Sequence, residues 1–174
     1  IETLQETEII ADQEAEELKE TMRQIIDKAD KNSPSRTFEA VDQMKDKLKN
    51  SAQKALEESR NEQSALDRIE KLNRDLESAL ESGDSKSASA LSAELKKEIE
   101  SSAAGKKMDT ATRENLAKAL DSLSDGGQGS EESLQKAAEQ LKEYIDQRAR
   151  EIKKNAQKLQ KARLVDRKTF EELM

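Results

Sequence analysis

The fold is decided by residues 48–80, which read LKNSAQKALEESRNEQSALDRIEKLNRDLESAL. Seam positions recur here at alternating spacings of four and three, which places their side chains on one face of an α-helix. These positions are Leu48, Ala52, Ala55, Ser59, Glu62, Leu66, Ile69, Asn73, Leu76 and Leu80. A single helix over 34–82 would be roughly 70 Å long at the usual rise per residue. The stretch therefore predicts a rod rather than a small compact core.

Similar stripes lie on both sides of this segment. The first consists of Leu4, Ala11, Ala15, Leu18, Met22, Ile25 and Ala29, and the last consists of Leu134, Ala138, Leu141, Ile145, Arg148, Ile152, Ala156 and Leu159. We therefore predict long helices over about 2–31, 34–82 and 131–163. Two shorter stripes between them, Leu91, Leu95 and Ile99, then Leu116, Ala119, Leu120 and Leu123, predict a helical hairpin over about 85–104 and 110–124.

The few helix-breaking and capping residues give the predicted boundaries. Ser33 and Pro34 start the second helix, and Gly83 ends it. Asp84 caps the start of the third helix, and Gly105 ends that helix. Asp109 or Thr110 caps the fourth helix, and the glycines over 126–129 predict a flexible linker at 125–130. Ser130 starts the fifth helix, and Asp166 caps a terminal helix over about 167–174 that includes Phe170 and Leu173.

Composition supports the same fold class. Only 33% of the residues are hydrophobic, 2% are aromatic, and Val41 and Val165 are the only valines, so strand-forming residues are scarce. We predict an all-α, elongated antiparallel helical bundle or coiled coil, with three long helices and a shorter hairpin inserted between the second and third. Residues 1–174 are expected to form a single elongated domain.

No run approaches the roughly 18 apolar residues of a membrane span. Because the chain starts at Ile1, we expect it to be processed or partial.

The absence of His and Cys excludes several kinds of active site. No Ser-His-Asp or Cys-His pair can form, nor can the usual zinc sites with His and Cys ligands. Paired carboxylates remain conceivable, but helical di-iron sites of the Glu-x-x-His type also need histidine. We therefore predict a non-enzymatic protein with no catalytic, cofactor-binding or metal-ligating residues and no cofactor.

The apolar seams also contain polar residues. Ser59, Glu62, Asn73 and Arg148 occupy seam positions. Such residues set helix register or open to water far more often than they bind metal or act in catalysis, so a register role is preferred. The glycines over 126–129 precede a helix, but they lack the Lys-Ser/Thr ending and the preceding strand of a phosphate-binding loop. A linker is therefore the better interpretation.

Charge is distributed unevenly along the chain. Residues 1–33 hold 10 acidic and 4 basic side chains, whereas residues 147–174 hold 9 basic and 4 acidic ones. Pairing of the acidic start with the basic end, within one chain or between copies, is the simplest interpretation. The alternatives are a basic arm that docks an acidic protein, and binding to nucleic acid or an anionic membrane. Net charge −7 and few aromatics weaken the last of these. The candidate docking residues are Arg148, Arg150, Lys153, Lys154, Lys158, Lys161 and Arg163.

Together these features predict a coiled-coil spacer or scaffold that binds other proteins, among which a second copy of the chain is one option. The alternative function is an assembly factor, of the viral-scaffold or secretion-apparatus kind, that docks through the basic C-terminal helix. Nucleic-acid or anionic-membrane binding by that helix is the third option. The cysteine-free composition fits a reducing or an oxidising compartment equally.

Overall fold

A computed structural model describes residues 1–27, 29, 34–124 and 131–173. Within these residues all regular secondary structure is α-helical, which confirms the predicted class. The helices are α1 (Glu2–Glu6), α2 (Asp12–Asp27), α3 (Pro34–Glu81), α4 (Ser85–Ser101), α5 (Ala103–Lys107), α6 (Thr110–Ser124), α7 (Glu131–Lys161) and α8 (Arg167–Leu173). The elongated antiparallel arrangement stays a prediction. No helix in the described ranges combines the length and apolarity needed to cross a membrane.

The chain divides into two compact units. The terminal unit comprises residues 1–59 and 153–174, and the central unit comprises residues 60–152. Helices α3 and α7 each contribute residues to both units. Whether the units form one domain, as the sequence predicts, stays a prediction.

The predicted first helix is interrupted, which corrects the expected span of 2–31. Helix α1 ends at Glu6 and α2 begins at Asp12. Between them Glu8 adopts a left-handed φ of 56°, and Ile10 is buried where the predicted stripe had placed Ala11, which is exposed. A continuous helix would carry Ile10 off the face of Leu4, so the turn is what brings both side chains into one core. Residues 28, 30 and 31 of the predicted helix lie outside the described residues.

One apolar cluster forms the core of the terminal unit. It joins both ends of the chain to the middle of α3 and consists of Leu4, Ile10, Ala15, Ala52, Leu56, Ala156, Leu159 and Val165. Ile1, Ile9, Leu18, Leu48, Leu164 and Phe170 pack against it while remaining partly exposed. Several members are alanines, so helices approach closely but each contact buries little area.

The predicted helix boundary at Gly105 is wrong. Helix α4 already ends at Ser101, and Ser102 starts the short helix α5 by accepting a 3.1 Å hydrogen bond from the backbone N–H of Gly105. Gly105 therefore lies inside α5 rather than ending a helix. A Cβ at this position would lie 1.7 Å from the backbone oxygen of Ile99. Only glycine permits this close approach of α5 to the end of α4.

Helices α4 and α6 contact each other through polar as well as apolar groups. The buried Ser92 hydroxyl donates to the Leu120 carbonyl over 2.8 Å, and the Lys96 ammonium lies 2.6 Å from an Asp121 carboxylate oxygen. Leu95, Ile99, Leu116 and Leu120 are buried in the same unit. Asp84 caps α4 through Ser87, and Asp109 accepts from the backbone N–H of Thr112 near the start of α6.

Several predictions fall on parts of the chain outside the described residues. They concern the Ser33 cap, the 125–130 linker, the Ser130 cap, Met174, and the side chains of Pro34, Leu123, Leu134 and Leu173. Asp166, by contrast, accepts from the backbone N–H of Thr169 over 2.8 Å near the start of α8.

Candidate functional site

The most strongly organised polar site lies in the central unit, around the carboxylate of Glu62. This side chain comes from α3 and is only 1% exposed. One of its oxygens accepts from the Arg148 guanidinium of α7, at 2.8 Å from Nε and 2.7 Å from the terminal nitrogen. The other oxygen lies 2.6 Å from the Lys107 ammonium of α5. Glu62 therefore links three helices through charged hydrogen bonds.

Two further residues complete the cluster. Glu151 accepts a short hydrogen bond from Arg148, so the guanidinium bridges two carboxylates. The Tyr144 hydroxyl, one turn before Arg148, donates to the Ala104 carbonyl of α5 over 2.6 Å. We call Glu62, Lys107, Tyr144, Arg148 and Glu151 the ionic cluster.

Local structure explains how Lys107 reaches this position. The Ser102 cap and the close packing of Gly105 on Ile99 fix α5 against the end of α4. Lys107 is the last residue of α5, and its half-exposed side chain brings the ammonium to Glu62.

Burial and charge act on the titrating groups in opposite directions. Burial disfavours the charged guanidinium of Arg148, but the hydrogen bond and negative charge of Glu62 outweigh it and raise the pKa of Arg148. Burial also raises the pKa of Tyr144 to about 12, although the positive charge of Arg148 opposes that shift. Both residues therefore keep their usual protonation states across neutral pH.

The four polar seam residues have different environments. Glu62 and Arg148 meet directly, as described above. The Ser59 hydroxyl donates to the Ala55 carbonyl over 2.8 Å, and the buried Asn73 amide donates to Glu77 over 3.1 Å. Both of these bonds lie within α3, so neither bond fixes one helix against another. The register role of this set stays a prediction that the geometry of Glu62 and Arg148 favours.

The candidate docking residues are mostly exposed. Arg150, Lys153, Lys154, Lys161 and Arg163 are exposed, whereas Lys158 is partly buried. Arg148 differs because its guanidinium is engaged by Glu62 and Glu151. Lys158 lies 3.4 Å from Glu6, which gives one ion pair between the acidic start and the basic end of the chain.

Sequence reasoning missed Lys107, Tyr144 and the role of Gly105. Neither Lys107 nor Tyr144 lies on an apolar seam, so periodicity gave no signal for them. The lone glycine at 105, between helix-forming residues, was a signal for a close backbone approach. Among the described residues, no group of three or more acidic side chains is arranged to hold a metal ion.

Comparison of the chain with protein-family models, curated proteins and solved structures finds no match.

Proposed function

We propose that the chain is a non-enzymatic structural and interaction module, an elongated antiparallel helical bundle that acts as a spacer or scaffold in a protein assembly. The observation that carries the proposal is the ionic cluster. Its buried carboxylate is satisfied by cations from two other helices, so the most unusual polar group of the chain is used to hold helices together. A buried ionic link of this kind adds little net stability but penalises other helix alignments.

Small-angle X-ray scattering tests the shape that this function needs. The expected result is a maximum dimension that approaches the length of α3 or exceeds it, roughly 70 Å by the rise per residue. A radius of gyration near that of a globular chain of this length, about 16 Å, would contradict the proposal.

A second candidate function is docking of an acidic protein surface on α7. The exposed Lys153, Lys154 and Lys161 favour it. Lys154 and Lys161 lie on the side of α7 opposite to the buried Ile152, Ala156 and Leu159, and Lys153 lies beside that buried stripe. In this alternative the chain is an assembly factor that uses its basic C-terminal helix as the docking element.

Charge reversal provides the test of docking, with poly-glutamate as the acidic probe. Replacing Lys153, Lys154 and Lys161 by Glu should abolish binding without changing the circular dichroism spectrum. Reversing three exposed lysines of α3, Lys45, Lys47 and Lys54, changes the net charge equally and provides the matched control. An equal loss of poly-glutamate binding in both variants would show that net charge, rather than the α7 face, drives binding.

A further inference from the structure

Two turns of the terminal unit have the same helix boundaries. Helix α1 ends at Glu6 and α2 begins at Asp12, while α7 ends at Lys161 and α8 begins at Arg167. Positions 6 and 161, and likewise 12 and 167, are 155 residues apart. We call residues 2–18 the first joint and residues 157–173 the second joint. Each consists of a helix end, a five-residue turn and a helix start.

Two backbone hydrogen bonds of the first turn have counterparts in the second, whereas the longer bond of Ile10 to the Leu4 carbonyl, at 3.3 Å, has none. In the first joint the N–H of Glu8 bonds to the Gln5 carbonyl, and the N–H of Ile9 bonds to the Leu4 carbonyl, both over 2.9 Å. In the second joint Arg163 bonds to Gln160 over 2.9 Å and Leu164 to Leu159 over 3.0 Å. These are the paired bonds of a Schellman motif.

Both motifs use a left-handed residue that is not glycine. Glu8 and Arg163 each have a φ of 56°, and they are the only non-glycine residues with positive φ among the described ones. Left-handed backbone is disfavoured for such residues, and both joints have it at the same position, directly after the helix end.

The sequences of the joints match at the same offset without a gap. Residues 4–18 read LQETEIIADQEAEEL, and residues 159–173 read LQKARLVDRKTFEEL. The leading Leu-Gln and the closing Glu-Glu-Leu are identical, and Ile9 and Ile10 correspond to Leu164 and Val165. The match is too short to detect from sequence alone, but it coincides with the shared backbone bonds.

Equivalent side chains also have equivalent burial. Leu4 and Leu159 are fully buried, Ile10 and Val165 are buried, and Ile9 and Leu164 are partly buried. All six belong to the apolar cluster of the terminal unit or pack against it, together with Ala15 and its counterpart Phe170. The two joints thus share one core.

Charge distinguishes the joints. The first contains seven acidic and no basic residues, whereas the second contains five basic and three acidic ones. Their equivalent positions include the pairs Glu6 with Lys161 and Glu8 with Arg163. The ion pair of Glu6 with Lys158 joins the two. Opposite charge makes adjacent joints attract each other, which accounts for the acidic start and basic end of the chain.

We propose that these segments are two copies of one connecting element, and that this element joins consecutive helical units of this kind. A second copy of the chain then follows the first through a single shared joint, with a period of 155 residues. In that arrangement α1 corresponds to the end of a preceding α7, and α8 to the start of a following α2. The inference rests on the proposed spacer function and specifies how the spacer is lengthened.

A tandem chain tests this proposal. Residues 1–173 are joined directly to residues 19–174, so that the second joint of the first copy also acts as the first joint of the second copy. The second copy then has two basic joints, so the comparison is made in about 1 M salt, where exposed charges are screened. The expected result in scanning calorimetry is the same melting temperature as for the single chain at that salt, with about twice the heat absorbed per chain. The first copy keeps both of its joints and provides an internal reference.

The matched control omits Lys19 from the tandem chain. Deletion of one residue rotates the following helix by about 100° and moves its apolar face away from the core. This control should show a separate transition at lower temperature for the second copy. If the tandem without the deletion shows the same lower transition, the joints are not equivalent and the proposal fails. Scattering on the tandem reads shape independently, so a compact tandem with a single transition would overturn only the spacer function.

Discussion

The two units of the chain fix their helices by different means. Among the residues that the structure describes, five polar ones are buried: Glu62, Asn73, Ser92 and Ser102 lie in the central unit, and Thr7 lies in the terminal unit. The central unit also contains the tight contact of Gly105 with Ile99. The terminal unit relies on an aliphatic cluster and on charges at its surface. Directional buried contacts tolerate little change, whereas aliphatic packing with exposed charges tolerates more. The following substitutions test that difference, beginning with the largest expected effect.

Gly105→Ala should destabilise the central unit by about 3 kcal/mol or more, because the new Cβ would overlap the backbone oxygen of Ile99. Urea unfolding followed by circular dichroism measures the change. Gly83→Ala provides the control, since no heavy atom lies within 4 Å of its Cβ position and only its φ of 71° opposes alanine. That cost should be about 1 kcal/mol. An equal loss of stability in the two variants would show that the contact of Gly105 with Ile99 is not tight enough to exclude a Cβ.

Arg148→Met should cost about 2–3 kcal/mol, because Glu62 would stay buried with Lys107 as its remaining cation. The double variant Glu62→Met and Arg148→Met removes both charges and should unfold at nearly the denaturant concentration of the original chain. A double variant that is less stable than Arg148→Met alone would show that the ion pair supplies net stability rather than specificity.

Raising the pH should weaken the central unit through Tyr144. Its pKa is raised by burial from 10.0 to about 12, so its stabilising contribution is complete below pH 10 and is lost as the pH rises toward 12. Tyr144 is the single tyrosine of the chain, so near-ultraviolet absorbance of the phenolate reports its titration directly. Tyr144→Phe should remove this part of the alkaline destabilisation. A midpoint at the ordinary tyrosine value would contradict the burial and the bond to Ala104.

Arg163→Gly, unlike the substitutions above, should stabilise the terminal unit, raising its free energy of unfolding by about 0.5–1 kcal/mol. Glycine adopts the left-handed φ of 56° without the steric cost that arginine bears. Thermal unfolding at fixed salt measures the gain. Arg150→Gly, in the middle of α7, loses the same side-chain type at a helical position and should destabilise by about 1 kcal/mol. Destabilisation by both variants would show that the Arg163 side chain outweighs its backbone strain.

Sequence alone predicts the helices and much of the buried face. The seam positions Leu66, Ile69 and Leu76 are buried, whereas Leu80 near the end of α3 is 38% exposed. Spacing succeeds here because a long helix has one period and few choices of face. The break after α1 could not be predicted in this way, because neither proline nor glycine marks it and the left-handed residue is Glu8.

The ionic cluster could be predicted only in part. Seam spacing identified Glu62 and Arg148 as polar residues at apolar seam positions, but it did not show that they contact each other. Lys107 depends on α5, and α5 depends on the Ser102 cap and on a backbone approach between residues that only the folded chain brings together. Long-range pairing of this kind has no signature in local periodicity.

The shared core of the chain ends has a mechanical consequence. Leu4 and Leu159 lie in the same apolar cluster, so a force that pulls the two ends apart acts first on the terminal unit. The central unit is continuous in sequence over residues 60–152 and bears load only after that cluster opens. During synthesis the order is reversed, because the cluster cannot close until Leu159 and Val165 have been made. The part of the chain that folds last is therefore the part expected to yield first under tension.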